Sequence, residues 1–120
     1  MTSPNKHILK KWDVWLADLN PRFGTELGKL RPVVIIQSDL LNDTDHPSTI
    51  VCSMTSQVEL ESKLLRIHVK KNEAGLTEDS DILADQIRAI DNERFKKRLG
   101  TIKPIHRAQL MESLYAVLDL

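Results

Sequence analysis

The run Val33-Val34-Ile35-Ile36, opened by Arg31-Pro32, constrains this chain more than any other stretch. Four consecutive β-branched side chains are stiff at χ1, so the run favours a pleated, buried strand over a helix. Proline at its start costs no ladder hydrogen bond. Similar short segments recur along the chain. Val14, Leu16 and Leu19 fall in a first strand that begins near Trp12 and ends at Asn20-Pro21, and residues 49–55, 64–69 and 80–86 supply three more. Residues 98–102 add a short sixth. Pro104 then opens a helix in which Leu110, Met111, Leu114, Val117 and Leu118 follow the helical period. Five or six short strands with turn signals between them and one closing helix predict a mainly β fold with a C-terminal α-helix, a strongly curved sheet or partly open barrel.

A chain of 120 residues is long enough to bury one core without disulfides or metals. Residues 1–11 contain Pro4, Asn5 and lysines without periodicity and read as a flexible N-terminal arm, leaving residues 12–120 as a single domain. Cys52 is the one cysteine and sits inside an apolar run, which marks it as a small buried hydrophobe rather than a nucleophile. No stretch is apolar enough to span a bilayer and the first residues lack a signal-peptide pattern, so a cytoplasmic location is expected. Lysine plus arginine number 17 and so do aspartate plus glutamate, which excludes a whole-molecule positive field; any nucleic-acid binding must rest on a local set of residues. Zinc-spaced ligand clusters, a P-loop, a GxSxG elbow and dinucleotide glycines are all missing, so neither a metal nor a cofactor is expected. His7, His46, His68 and His106 have no ligand-like spacing and read as surface residues.

Three segments carry the residues suited to chemistry: residues 23–32, residues 54–57 and residues 84–88. Taken alone they leave alternatives open. Arg31 at the mouth of an apolar strand is either an edge charge or a phosphate ligand. Glu26 either caps or pairs with Arg31, and Thr55 either ends a strand or offers a hydroxyl. Phe23 suits the core as well as it suits a platform for an unstacked base. The loop of residues 20–30, with Gly24 and Gly28 among polar residues, is where function commonly sits.

The motifs Asp13-Val14-Trp15-Leu16-Ala17-Asp18-Leu19-Asn20-Pro21, Gly24-Thr25-Glu26, Arg31-Pro32-Val33-Val34, Thr55-Ser56-Gln57 and Asp85-Gln86-Ile87-Arg88 with Ile90-Asp91, in this order and spacing, resemble the MazF/PemK/Kid toxin family over nearly all of residues 12–120. The resemblance implies an SH3-like barrel of the kind shared with the CcdB gyrase poison, a homodimer, a MazE-like antitoxin as partner, and metal-independent cleavage of single-stranded RNA. The implied chemistry is transesterification, in which a ribose 2′-hydroxyl attacks the adjacent phosphorus and leaves a 2′,3′-cyclic phosphate and a 5′-hydroxyl. By the same resemblance Arg31 matches the family's essential arginine, Thr55 its active-site hydroxyl and Glu26 a glutamate that orients the arginine. Asp85 matches a carboxylate that is a general base in Kid-like members and a base-reading group in others. For an RNA substrate Phe23 offers a stacking face, Thr25 and Gln86 offer hydrogen bonds to base edges, and Ser56 is a further substrate-binding candidate. The chain departs from Kid-like members at Leu83, where they carry an arginine, and in the loop at Leu27, Lys29 and Leu30. The alternative is a non-catalytic barrel, a binding module or gyrase-type poison, against which the joint presence of Arg31, Glu26 and Thr55 weighs.

Overall fold

A computed structural model describes residues 8–21, 24–25 and 29–120. Six strands form one antiparallel sheet: β1 (Asp13–Asp18), β2 (Leu30–Ile35), β3 (Ser48–Thr55), β4 (Arg66–Val69), β5 (Ser80–Asp91) and β6 (Phe95–Thr101). Their spatial order is β4-β5-β3-β2-β1-β6. The three expected central strands fall where the β-branched runs lie. Period-two alternation sends neighbouring residues to opposite faces. Val14, Val34, Cys52, Met54, Ile82 and Ala84 enter one buried cluster, while Trp15, Ala17, Val33, Ile35 and Val51 enter a second with Leu19, Ile90 and Phe95. This is why β1 and β2 read as apolar on both faces.

Register shifts between Val14 and Trp15, between Leu16 and Ala17, and between Cys52 and Met54 bend the sheet, since each irregularity increases local twist. The curved sheet is barrel-like without closing, because β4 and β6 stand at opposite ends of the strand order. The turn after β4 reaches across to β6 instead. Gly75 (φ +73°) and Gly100 permit that crossing: a Cβ on Gly75 would lie 2.0 Å from the Leu99 carbonyl oxygen, and one on Gly100 would lie 2.6 Å from the Ala74 carbonyl carbon.

The closing helix, α2 (Pro104–Leu118), begins with proline at its first turn and ends at Asp119 in the left-handed conformation. It packs on β4 and β5 through Leu110, Ser113 and Leu114, with Val117 at the margin. The apolar stripe is narrower than the sequence suggests. Leu118 is 45% exposed, whereas its neighbour Val117 still packs against the first cluster.

Three other features differ from the expectation. Strand β5 runs five residues beyond Gln86, because its second half continues the β3 ladder out to Ser48 opposite Asp91. A four-residue helix, α1 (Asp39–Asn42), follows β2; Ser38 accepts from the Leu40 amide and caps it. The arm is described only from Ile8, and there Leu9 is buried in the second cluster while the Lys11 amide donates to Asp39 Oδ1 at 2.8 Å. Among the described residues no helix is long and apolar enough to cross a membrane.

Candidate active site

The loop between β1 and β2 is held at its base by backbone and side-chain bonds. Leu19 N–H donates to the Lys29 carbonyl at 2.8 Å, and the Lys29 amide donates to Asn20 Oδ1. From the turn that precedes β6, Arg94 donates to the carbonyl oxygens of Asp18, at 2.9 Å, and of Asn20. Asn20-Pro21 is a cis peptide. Two expected site residues of this loop, Phe23 and Glu26, lie outside the described residues.

A cleft of about 310 Å³ opens where β3 ends, β4 begins and β5 passes beneath. Thr25, Thr55, Asp85 and Gln86, all expected at the site, line it. Among the described residues Gln57, Glu59, Ser62, Leu65, Arg66 and Leu83 line it as well. Alternation in the first half of β5 turns Ile82 and Ala84 to the core beneath α2 and Asp81 and Leu83 to the opposite face; the register shift opposite Cys52 and Met54 then breaks the alternation, and the adjacent Asp85 and Gln86 both line the cleft. The ladder between β4 and β5 sets Arg66 directly opposite Leu83.

Thr55 is the last residue of β3, 7% exposed, and its Oγ1 accepts the Gln57 amide at 3.1 Å. With one lone pair so engaged, the hydroxyl proton is left to donate into the cleft. Arg31 is half-buried on β2 and does not itself line the cleft. The β1–β2 ladder pairs Arg31 with Ala17, and the β2–β3 ladder runs from Ile35 opposite Val51 to Val33 opposite Ser53, two residues short of Arg31 and Thr55. Ser56 is exposed on the turn beyond Thr55 and is likewise not in the cleft wall.

A group absent from the sequence reading lies under the cleft floor. Asp81 is wholly buried, accepts from the Glu59 amide at 2.9 Å and from Arg66 Nη1 at 3.1 Å, and bonds His68 Nδ1 at 2.6 Å. Burial alone would raise its pKa, but the Glu59 amide, His68 and Arg66 together outweigh burial and hold the carboxyl below its ordinary value. A sequence signal existed. Asp81 is the one carboxylate amid Ser80, Ile82, Leu83 and Ala84, and Arg66 and His68 alternate with Ile67 and Val69 on a short strand; a buried charge demands partners. The depressed pKa has a stability consequence. Asp81 contributes stability that is complete above its ordinary value of 3.8 and is lost as pH falls through its lower folded value. Urea midpoints taken downward from about pH 5 will fall more steeply for the unsubstituted protein than for Asp81→Asn; equal slopes would contradict the assignment.

The surface reading of the histidines holds for His46, which is exposed, and fails for His68 and His106. His68 is part-buried on Asp81. His106 packs against Glu73, and burial, only partly offset by that carboxylate, lowers its pKa. Their partners come from other elements, which spacing along the chain does not reveal. Cys52 is fully buried, and burial, with the Asp85 carboxylate adding to it, pushes its thiol up to about 12, so it is no nucleophile.

A family model described as PemK-like, MazF-like toxin of type II toxin-antitoxin system matches residues 10–118. The chain belongs to that toxin family. The toxin is also 39% identical over 92 residues to the Endoribonuclease MazF of Staphylococcus saprophyticus subsp. saprophyticus, covering 77% of this chain and 76% of that one. Its fold is shared with MazF (Form-I) from Deinococcus radiodurans, with a TM-score of 0.80 at 18% identity over 95% of this chain and 99% of the other. The toxin of the MazE-MazF (Form-II) structure from the same organism gives 0.73 at 18% identity, over 95% and 98%. Both likenesses, together with the curved antiparallel sheet and closing helix, establish the barrel-like toxin fold expected from the sequence.

Proposed function

We propose that this toxin is an endoribonuclease that cuts single-stranded RNA by transesterification, leaving a 2′,3′-cyclic phosphate and a 5′-hydroxyl, and that a MazE-like antitoxin restrains it in the cytoplasm. The observation that carries the reading is the Thr55 hydroxyl, fixed at the rim of a cleft by the Gln57 amide with its proton free to donate. A space of about 310 Å³ is at the small end of ligand clefts and suits one splayed nucleotide rather than a duplex.

In this account the nucleophile belongs to the substrate, so the chain needs only to position the phosphate and stabilise the charge it develops. Arg31 neutralises the phosphorane with a planar fork that grips two oxygens, and Thr55 donates to a non-bridging oxygen. Glu26 orients Arg31. Thr25, Asp85 and Gln86, in the cleft wall, face the base edges, Ser56 borders the path of the chain, and Phe23 supplies a stacking face. Asp85 is assigned to base reading because Leu83, two residues before it, stands where Kid-like members carry an arginine. The protein acts as a homodimer, and the antitoxin lays an acidic, apolar segment over the loop of residues 20–30, its carboxylates standing in for phosphates near Arg31.

The test is a long single-stranded RNA incubated with the purified protein in excess EDTA, followed by sequencing of new 5′-hydroxyl ends. Discrete cuts at a short recurring sequence are expected. Intact RNA, or ends carrying a 5′-phosphate, would contradict the proposal.

A further inference from the structure

The buried group under the cleft has no part in the chemistry just described, yet its bonds lead to that chemistry. Both carboxylate oxygens of Asp81 are engaged: Oδ1 by His68 Nδ1, Oδ2 by the Glu59 amide and by Arg66 Nη1. The same Arg66 nitrogen donates to the Gln57 carbonyl at 2.7 Å, and the Gln57 amide donates to Thr55 Oγ1 at 3.1 Å. A continuous chain of hydrogen bonds therefore runs from the Asp81 carboxylate, through one guanidinium and the backbone of Gln57, to the Thr55 hydroxyl. Asp81 and Thr55 are also directly paired across the β3–β5 ladder, so the two ends of that chain are fixed to one sheet.

We propose that Asp81 is a positioning residue for RNA cleavage, acting through Arg66 and Gln57 on the Thr55 hydroxyl without itself touching RNA. The inference rests on the reading of Thr55 as the phosphate donor. A hydroxyl aids a transition state only if its proton already points at the oxygen that gains charge, because reorientation during the reaction costs what the bond returns. The direction of the Thr55 proton is set by which lone pair the Gln57 amide occupies, and the orientation of Gln57 is set by Arg66. Arg66 is an anchor rather than a loose surface charge: its side chain is 19% exposed, two of its acceptors lie within hydrogen-bond reach, and Glu59 Oε1 stands 3.7 Å from Nη2. Full burial keeps water from substituting for any link at the Asp81 end.

Asp81→Asn keeps the shape but removes the charge and one of the two acceptor oxygens. On single-stranded RNA, kcat falls about tenfold with KM within about twofold, because the lost interaction serves the transition state. Hydrogen exchange at the Gln57 and Glu59 amides speeds up in parallel. The Asp81→Asn, Thr55→Val double variant is no slower than Thr55→Val alone, since both act through one hydroxyl. Arg66→Met cuts the chain at its next, part-exposed link and lowers kcat in the same way, with a rise in KM; it carries the test if Asp81→Asn fails to fold. A wild-type kcat for Asp81→Asn beside a slow Thr55→Val overturns the positioning role and leaves the Thr55 assignment standing. Multiplying losses in the double variant overturn it as well. A wild-type rate for Thr55→Val removes the donor reading itself, and the proposal with it.

Discussion

Arg31→Lys will lower turnover roughly a hundredfold while RNA affinity changes little. Lysine keeps the positive charge and so keeps the long-range attraction for phosphate, but it is a point charge on a flexible stem and cannot grip two oxygens in one plane. Arg31 is half-buried near the start of β2, paired with Ala17 of β1. A strand position of that kind fixes the direction of the side chain, so the shorter reach of lysine is not recovered by a shift of the backbone. The loss is expected in kcat, because the interaction strengthens only as negative charge builds on the phosphorus oxygens. Single-turnover rates, set beside binding to an uncleavable RNA, read the two quantities separately. A wild-type rate would remove Arg31 from the reaction, and a loss confined to affinity would make it an anchor for the RNA backbone only.

Phe95→Ala will cost about 3–5 kcal/mol of folding stability, a large share of the ~5–15 kcal/mol that domains of this size possess. Phe95 is 1% exposed and opens β6 opposite Ala17, next to the irregularity between Leu16 and Ala17. Its ring meets Trp15 edge-on at 5.9 Å and 81°, in a cluster that also holds Leu19, Ile35 and Ile90. That cluster lies on the sheet face away from α2, so no helix can settle into the space left behind. Urea denaturation reads the effect as a lowered midpoint with an unchanged slope. A loss below about 1 kcal/mol would mean that the second cluster relaxes around the cavity, contrary to the close packing described.

What the sequence reveals and what it conceals divide along a physical line. The runs Val33-Val34-Ile35-Ile36 and Ile50-Val51-Cys52 identify their own strands because χ1 stiffness and alternation are local properties, and Pro104 with Leu110 and Leu114 does the same for α2. Thr25, Thr55, Asp85 and Gln86 were legible as a site through the order and spacing of motifs, and the fold brings these four to one cleft. Arg66, His68 and Asp81 were not, although each is unusual where it stands. Their partnership depends on the β4–β5 register, which a ten-residue connection sets and no local pattern encodes. The extra length of β5 was hidden for a similar reason: residues 87–91 are held as strand by the β3 ladder, which pairs Arg88 with Val51 and Asp91 with Ser48. The short helix α1 carries a Ser38 cap, but four residues are too few to show a period.

The central claim is that the substrate's own 2′-hydroxyl is the nucleophile and that the Thr55 cleft with Arg31 stabilises the charge it creates. One measurement addresses it directly: the cleavage rate of a short single-stranded RNA against the same oligonucleotide with a single 2′-deoxy residue on the 5′ side of the mapped cut. The account predicts that the deoxy oligonucleotide binds with similar affinity and is not cut at that position, while the unmodified RNA yields a 2′,3′-cyclic phosphate. Cleavage of the deoxy oligonucleotide at the same position and a comparable rate would mean that water is the nucleophile, and would contradict the account.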